Sequence, residues 1–461
     1  MSRGLGDVYK RQVVEGGTGA MTKACRNYTE GKTKEELIGN IGFGEAVEVD
    51  KALKKKVLIT GAGSYIGQSF IDYAKKYYPE NFEIDELDMM GDAWKEYDFS
   101  QYDIIYHVAG IAHADVGNVS DETKEKYYQV NTDLTIEVAQ KAKEENVKEI
   151  IFMSSMIVYG ESAPYGKKKI IDENTIPTPA NFYGDSKLQA DVAIRELADD
   201  NFKVIVLRPP MIYGKGSKGN YPVLAKLAKK LPVFPDVDNE RSMLYIENLC
   251  EFLCQVMLVR KIRRNVIVLI PQNAEWTNTS VMVRQIANIS GKKIAVFKIM
   301  RPMVAVGGKM PGKIGGLINK AFGNNCYAHE LSKYQGIDYQ KSTLEESVKL
   351  TEANIVNQKK CVLMLASVAS MIDQFNMSNI DILLNMGYRV DVACNFGFGS
   401  TCSDEKITEL KSKLKEKGVE CYQVDFTRNV MNLIQDDKAY RQVRKLSLIH
   451  ISEPTRHSLI S

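Results

Sequence analysis

The chain has 461 residues, 44% of them hydrophobic and 26% charged, and a formal net charge of +3. That composition is globular, its length suits two or three domains, and its near-neutral balance gives no sign of nucleic acid or of an acidic partner. No run of about 18 apolar residues appears, so no membrane span is expected, and the N-terminus lacks the pattern of a signal peptide.

Eight cysteines, Cys25, Cys250, Cys254, Cys326, Cys361, Cys394, Cys402 and Cys421, stand singly with no Cys-x-x-Cys pair. Cys250 and Cys254 fall in an apolar helical run and read as core. No metal site is expected, and a reducing cytoplasm is the simplest compartment.

Met1 to Gln12 and roughly Leu446 to His457 carry no apolar periodicity. Both resemble the translated sequencing-adapter tails that recur at the ends of metagenome-derived proteins, so residues 1–12 and 446–461 are expected to lie outside any fold. Residues 13–53 hold several glycines and one short charged helix candidate, Lys32 to Ile38, with little to build a core. They are left as a tail or linker.

Lys54 to Ile59 is a basic-then-apolar strand leading into Thr60-Gly61-Ala62-Gly63-Ser64-Tyr65-Ile66-Gly67 and a helical pattern through Phe70, Ile71 and Ala74. Glycines in a strand–turn–helix let the backbone approach a pyrophosphate, which the helix N-terminus stabilises. The next strand, Phe82 to Leu87, carries Asp85 about 20 residues on, a spacing that suits the ribose hydroxyls of NAD, with Glu86 as the second choice. Asp98 follows, then a buried strand, Ile104 to Val108, ending in Ala109-Gly110, where small residues leave room for a cofactor. Glu125 to Glu145 reads as a helix and Glu149 to Met153 as a strand ending in Ser154-Ser155. Strands alternating with helices indicate a parallel sheet covered on both faces, with ligands at the strands' carboxyl ends.

Tyr183 and Lys187 are four apart in Tyr183-Gly184-Asp185-Ser186-Lys187. On a helix they share a face, and an adjacent lysine cation is expected to lower the phenol pKa and make it a usable base.

From Lys359 a new pattern begins: a strand to Ala366, a helix Met371 to Met386 closed by Gly387, a strand Tyr388 to Cys394, a charged helix Lys406 to Gly418, and a strand Val419 to Val424. This is βαβαβ again.

TGAGSYIG, HVAG, SSMIVYG, YGDSK and LRPPMIYG, in this order, resemble the extended short-chain dehydrogenase/reductase family, more narrowly its NAD-dependent sugar epimerase/dehydratase branch. The resemblance covers roughly Lys54 to Glu352. It implies an α/β fold: a Rossmann-type doubly wound parallel sheet with a smaller substrate part, mainly from residue 174, within a domain spanning 54–353. Residues 354–445 resemble the first part of the N-terminal domain of GT-B glycosyltransferases, a truncated second Rossmann-like α/β domain expected to be inactive alone.

The family's roles carry over by position. Ser155, Tyr183 and Lys187 are the implied catalytic residues. Gly61, Gly63, Ser64, Tyr65, Ile66, Gly67, Asp85, Asp98 (to adenine), Ala109, Tyr183 and Lys187 are the implied NAD contacts, and Asn131 a structural asparagine. Ser155, Asn220, Arg241 and Tyr327 are the implied substrate contacts: Arg241 for the nucleotide diphosphate, Tyr327 limiting the C2 substituent, with Tyr213 lining the same pocket. Ser64 departs from the family pattern, which has glycine there. Met156 and Ile157 stand where dehydratases carry an acidic pair, and neither can transfer a proton.

The resemblance therefore implies epimerisation at C4 of a UDP-sugar through a transient 4-keto intermediate, for surface-polysaccharide synthesis. The alternatives are an NAD(P)H-dependent 4-keto-sugar reductase and a non-catalytic nucleotide-binding protein on the same fold. The expected partner is the UDP-sugar, and a homodimer is left open.

Overall fold

The computed structural model describes residues 27–112, 119–310, 313–353, 361–386, 388–397, 403–426 and 438–443. Both expected adapter tails, Gly387 and Lys359 lie outside these residues. Two compact units divide at Asn354.

The first unit is built on six parallel strands: β1 Lys55–Thr60, β2 Phe82–Leu87, β3 Ile104–His107, β4 Glu149–Met153, β5 Lys203–Leu207 and β6 Val266–Leu269. Their order is β2-β1-β3-β4-β5-β6, with every neighbouring pair parallel. Apolar, β-branched runs such as Val204-Ile205-Val206 form these strands because both faces are covered. Val57, Ile59, Tyr106, Ile151, Ile205 and Ile267 enter one core cluster. The alternating residues Leu58, Ile105, Phe152, Val204, Val206 and Val268 enter the other. Strand order reverses between β1 and β3, and that crevice is where such sheets bind ligands.

The first face is covered by α1 Tyr65–Tyr77, through Phe70, Ile71 and Ala74, and by the apolar helix Ile246–Met257, where Cys250 and Cys254 are core residues. On the second face the expected helix Glu125–Glu145 is three pieces: α2 Asp121–Tyr128, a π-helical turn Gln129–Asp133 and α3 Leu134–Glu144. Beside them lies α4 Phe182–Arg195, which carries Tyr183 and Lys187.

Residues 27–53 are no loose linker. The short helix Lys34–Ile38 opens on a Thr33/Glu36 capping box, and its carbonyl end is held by two buried arginines. Arg195 of α4 donates to the Glu36 and Leu37 carbonyls, and Arg208 to those of Ile38 and Leu37. Gly42 N and Asn40 O then pair with Val268 at the β6 edge, and Phe43 and Val47 enter the first core cluster. Gly39 has φ +78°, and a Cβ there would lie 2.5 Å from the Arg195 guanidinium, so the segment crosses α4 at a distance only glycine allows.

The second unit has three parallel strands, β7 Cys361–Val368, β8 Arg389–Asn395 and β9 Glu420–Gln423, in the order β7-β8-β9. The helix expected at Met371–Met386 is two, Ala369–Phe375 and Met377–Asn385, meeting at Asn376. Ser403 caps the charged helix Asp404–Glu416.

Candidate active site

At the carboxyl end of β1 the chain turns through Gly61 (φ +115°) and Gly63 (φ +69°). A Cβ on Gly61 would sit 2.8 Å from the Ala109 nitrogen, whereas one on Gly63 would meet nothing within 4 Å. The turn therefore packs on the end of β3 and opens outward at Gly63. Ser64 needs no glycine: at φ −69° it is the N-cap of α1, its Oγ accepting from Gly67 N at 3.2 Å. Gly67 must be small, since its Cβ would lie 2.7 Å from that oxygen. An open glycine turn at the start of a 13-residue helix fits a dinucleotide pyrophosphate. Tyr65 and Ile66 begin α1 and pack back onto the first core cluster.

Two implied cofactor contacts are corrected. Asp85 pairs with Leu58 inside the sheet, and its carboxylate accepts from the Tyr102 hydroxyl at 2.8 Å. The strand runs two residues further, so Glu86, which accepts from Gly63 N at 3.0 Å, and Asp88, the first residue past β2, stand nearer the turn. Asp98 lies on the return toward the strands' amino ends. Its carboxylate is taken up by Ser100 N and Oγ, and Phe99 N donates to Glu145 just past α3.

The floor of the crevice is tightly tied. Val108 N and Ala109 N both donate to Thr60 O. Asn131, fully buried in the π-helical turn, accepts from Ile111 N at 2.8 Å and donates to Ile111 O and to Ser186 Oγ, both at 3.1 Å. That extra-wide turn aims one asparagine at both the β3 loop and α4.

α4 opens on an Asn181 cap, whose side chain accepts from Gly184 N. Gly184 lets the helix touch the strand end before it: a Cβ there would come 2.9 Å from Ile157 O. This contact brings Tyr183 to Ser155. Burial pushes the Tyr183 phenol up to about 12 and Tyr127 adds to it, while the neighbouring Ser155 hydroxyl acts in the opposite direction. The expected lowering by Lys187 is absent, for a geometric reason. The buried ammonium points to the end of β4, donating to Met153 O at 3.0 Å, and burial draws its pKa down to about 8. A Cβ on Gly110 would lie 3.0 Å from both Lys187 Nζ and Asn131 Oδ1, so Lys187 borders the crevice at Gly110.

On the substrate side, Arg241 donates to Lys320 O and, at 3.5 Å, to Ser162 Oγ, and no carboxylate pairs with it among the described residues. Asn220 is exposed at the start of the helix Asn220–Lys230. Tyr213 and Tyr327 are corrected: both are fully buried. Tyr213 hydroxyl meets Ser347 Oγ at 2.5 Å, and Tyr327 donates to Arg208 O at 2.8 Å. A tyrosine with its hydroxyl satisfied inside the core cannot gauge a substituent.

Asn325, two residues earlier, was not legible as a site residue. Its Nδ2 lies 3.1 Å from the Met156 sulfur, next to Ser155, and its buried Oδ1 has no partner. Such an orphaned acceptor calls for a ligand or water.

A doubly wound parallel sheet with a glycine turn at its switch point, and a Ser, Tyr and Lys gathered at the strand ends, defines a dinucleotide-dependent α/β enzyme fold. Residues 57–268 match the model of the NAD dependent epimerase/dehydratase family. A UDP-glucose 4-epimerase of Vibrio cholerae is 28% identical over 258 residues, 52% of this chain and 76% of that protein. An N-acetyl-alpha-D-glucosaminyl-diphospho-ditrans,octacis-undecaprenol 4-epimerase of Escherichia coli O157:H7 is 29% identical over 223 residues, 44% of this chain and 62% of that protein. In fold, a UDP-glucuronic acid 4-epimerase of Bacillus cereus in complex with NAD matches with a TM-score of 0.50 at 17% identity, over 66% of this chain and 97% of that one. Among the described residues no helix is long and apolar enough to cross a membrane.

Proposed function

We propose that the first unit binds NAD and inverts C4 of a sugar carried on a diphosphate, in the first instance a UDP-hexose, through a 4-keto intermediate. The observation that carries this reading is the meeting of Ser155 and Tyr183, with Lys187 four residues along α4, beside a glycine turn shaped for a dinucleotide. Both relatives named above are 4-epimerases, although they differ in what carries the diphospho-sugar.

In this reading the Gly61–Gly67 backbone and the first turn of α1 hold the pyrophosphate, and Asp88 with Glu86 replaces Asp85 at the ribose. Ala109 and Lys187 border the nicotinamide end. Bound NAD supplies a reversible hydride acceptor for the sugar carbon. Tyr183 Oη takes the proton of the 4-hydroxyl and returns it at the end of the cycle. Ser155 Oγ hydrogen-bonds both the phenol and the substrate oxygen as it becomes a carbonyl, the donor placement expected where charge develops. Lys187, charged below about pH 8 and bordering the crevice at Gly110, would supply the positive charge that stabilises the phenolate. Arg241, held between neutral oxygens, takes the diphosphate, and the Asn325 side chain meets the sugar.

Met156 is buried against Asn325, and the Ile157 backbone carbonyl faces Gly184 of α4. Neither position offers an acid to expel a hydroxyl, which favours epimerisation over dehydration. The test is incubation with a panel of UDP-hexoses under NMR. The reading requires C4 epimers to interconvert, and it fails if none of the panel turns over.

We read the second unit, with its βαβαβ order, as the opening part of a GT-B glycosyltransferase domain, without activity of its own. The neighbourhood of two sugar-nucleotide folds supports a role in surface-polysaccharide synthesis. Assay of the isolated 355–461 segment for sugar-nucleotide binding tests this; tight binding would contradict it.

A further inference from the structure

Between Trp276 and His329 stand eight Lys and Arg residues and no Asp or Glu, in a chain whose overall balance is only +3. Within that stretch the turn Lys298–Met300 and the helices Arg301–Gly308 and Lys313–Phe322 form a hairpin.

Its two helices pack closely on their inner side. Val304 and Gly307 are buried, and a Cβ on Gly307 would come 2.5 Å from Ile318 Cδ1. The outer side is apolar and uncovered: Ile299 is 86% exposed, Val306 67%, Met303 61% and Met310 46%. Met303 and Val306 share one face of the helix, with Ile299 in the turn before it and Met310 two residues past its end. Exposed Lys298 and Lys309 flank the stripe in sequence, and Lys292, Lys293 and Lys320 are exposed as well; Arg301 is paired with Asp238.

An apolar stripe flanked by lysines, its one neighbouring acidic ion pair being Asp238 with Arg301 among the described residues, matches the chemistry of an anionic bilayer surface, which offers negative headgroups above a hydrocarbon layer. A second copy of the same face would bring like charges together. The hairpin is also fastened to the substrate side. Arg241 donates to Lys320 O, Tyr165 N to Asn319 Oδ1 at 3.4 Å, and Asn319 Nδ2 to Gly308 O at 2.9 Å.

We propose that the outer face of the 298–310 segment is a membrane-docking surface that seats the substrate side of the first unit on an anionic lipid bilayer. This does not depend on which sugar is turned over.

The test is co-sedimentation of the full chain with vesicles of phosphatidylcholine alone and of phosphatidylcholine with phosphatidylglycerol. Binding is expected to the anionic vesicles at low salt and to weaken as salt rises. The double variant Ile299→Glu, Val306→Glu should lower partitioning at least tenfold while melting like wild type, both positions being exposed. Lys298→Glu with Lys309→Glu should remove the preference for phosphatidylglycerol. Absence of binding to anionic vesicles, or equal binding by the Ile299→Glu, Val306→Glu variant, would overturn the proposal. So would a concentration-dependent dimer, abolished by that variant, in place of vesicle binding.

Discussion

Replacing Asp191 with alanine probes the buried junction behind the site. Asp191 lies one turn beyond Lys187 on α4 and is fully buried, as is Arg208. Arg208 grips its carboxylate in two places, Nε to Oδ2 at 2.8 Å and Nη2 to Oδ1 at 2.9 Å. Arg195 Nε lies 3.0 Å from Oδ1. The other partners of Arg208 are neutral: the Ile38 and Leu37 carbonyls and the Tyr159 hydroxyl. Removing the carboxylate leaves two guanidinium groups side by side without a counter-charge, a loss that typically costs about 3–5 kcal/mol. At about 2–4 °C per kcal/mol for a domain of this order of size, Tm of the first unit should fall by about 6–20 °C. Burial alone would raise the Asp191 carboxyl, but Arg208 and Arg195 outweigh it and hold it below its ordinary range. Its stabilising contribution is thus complete above the unfolded value of about 4 and disappears as pH falls through the lower folded value. Thermal unfolding followed by circular dichroism from pH 7 down to 3 should show a constant gap between wild type and variant, closing only at the acid end. An Asp191→Ala protein melting within about 2 °C of wild type at pH 7, less than 1 kcal/mol of loss, would refute the reasoning.

Three further outcomes follow from the same structure. Tyr183→Phe should lose turnover by about 100-fold or more, the scale of a removed general base, yet still purify with NAD; full activity in that variant would remove Tyr183 from the mechanism. Lys187 titrates near 8 when folded and near 10.4 when unfolded, so ligand-free wild type should gain stability between those pH values relative to Lys187→Met; parallel urea midpoints across that range would contradict the buried-ammonium reading. Phe43→Ala should cost about 3–5 kcal/mol in urea unfolding, as for a core phenylalanine, whereas a neutral result would return residues 27–53 to the status of a linker.

What could be read from the sequence was what depends on local pattern. β2 and β4 begin and end where their apolar runs do, and the glycine turn, Ser155 and the Tyr183–Lys187 pair stand at the strand ends and helix start expected of them. What could not be read depends on distant partners. Leu37, Ile41, Phe43 and Val47 are separated by glycines and show no periodicity, yet arginines more than 150 residues away hold the backbone at Glu36, Leu37 and Ile38. The helix expected through Glu125–Glu145 contains a π-helical turn because Asn131 serves Ile111 and Ser186 together, which no helical period reveals. Counting from the glycine turn points to Asp85, a rule that takes no account of how far β2 runs. A tyrosine such as Tyr213 or Tyr327 looks the same in sequence whether it meets a sugar or donates to a buried carbonyl.

The central claim is that Tyr183 and Ser155 manage the proton while hydride leaves and returns to the same sugar carbon. Incubation of the purified chain with UDP-hexoses in deuterated water, followed by NMR, tests it most directly. The expected products are C4 epimers that keep their original hydrogen at C4, with no net change in nicotinamide absorbance. Deuterium at C4, or steady consumption of reduced cofactor, would contradict it.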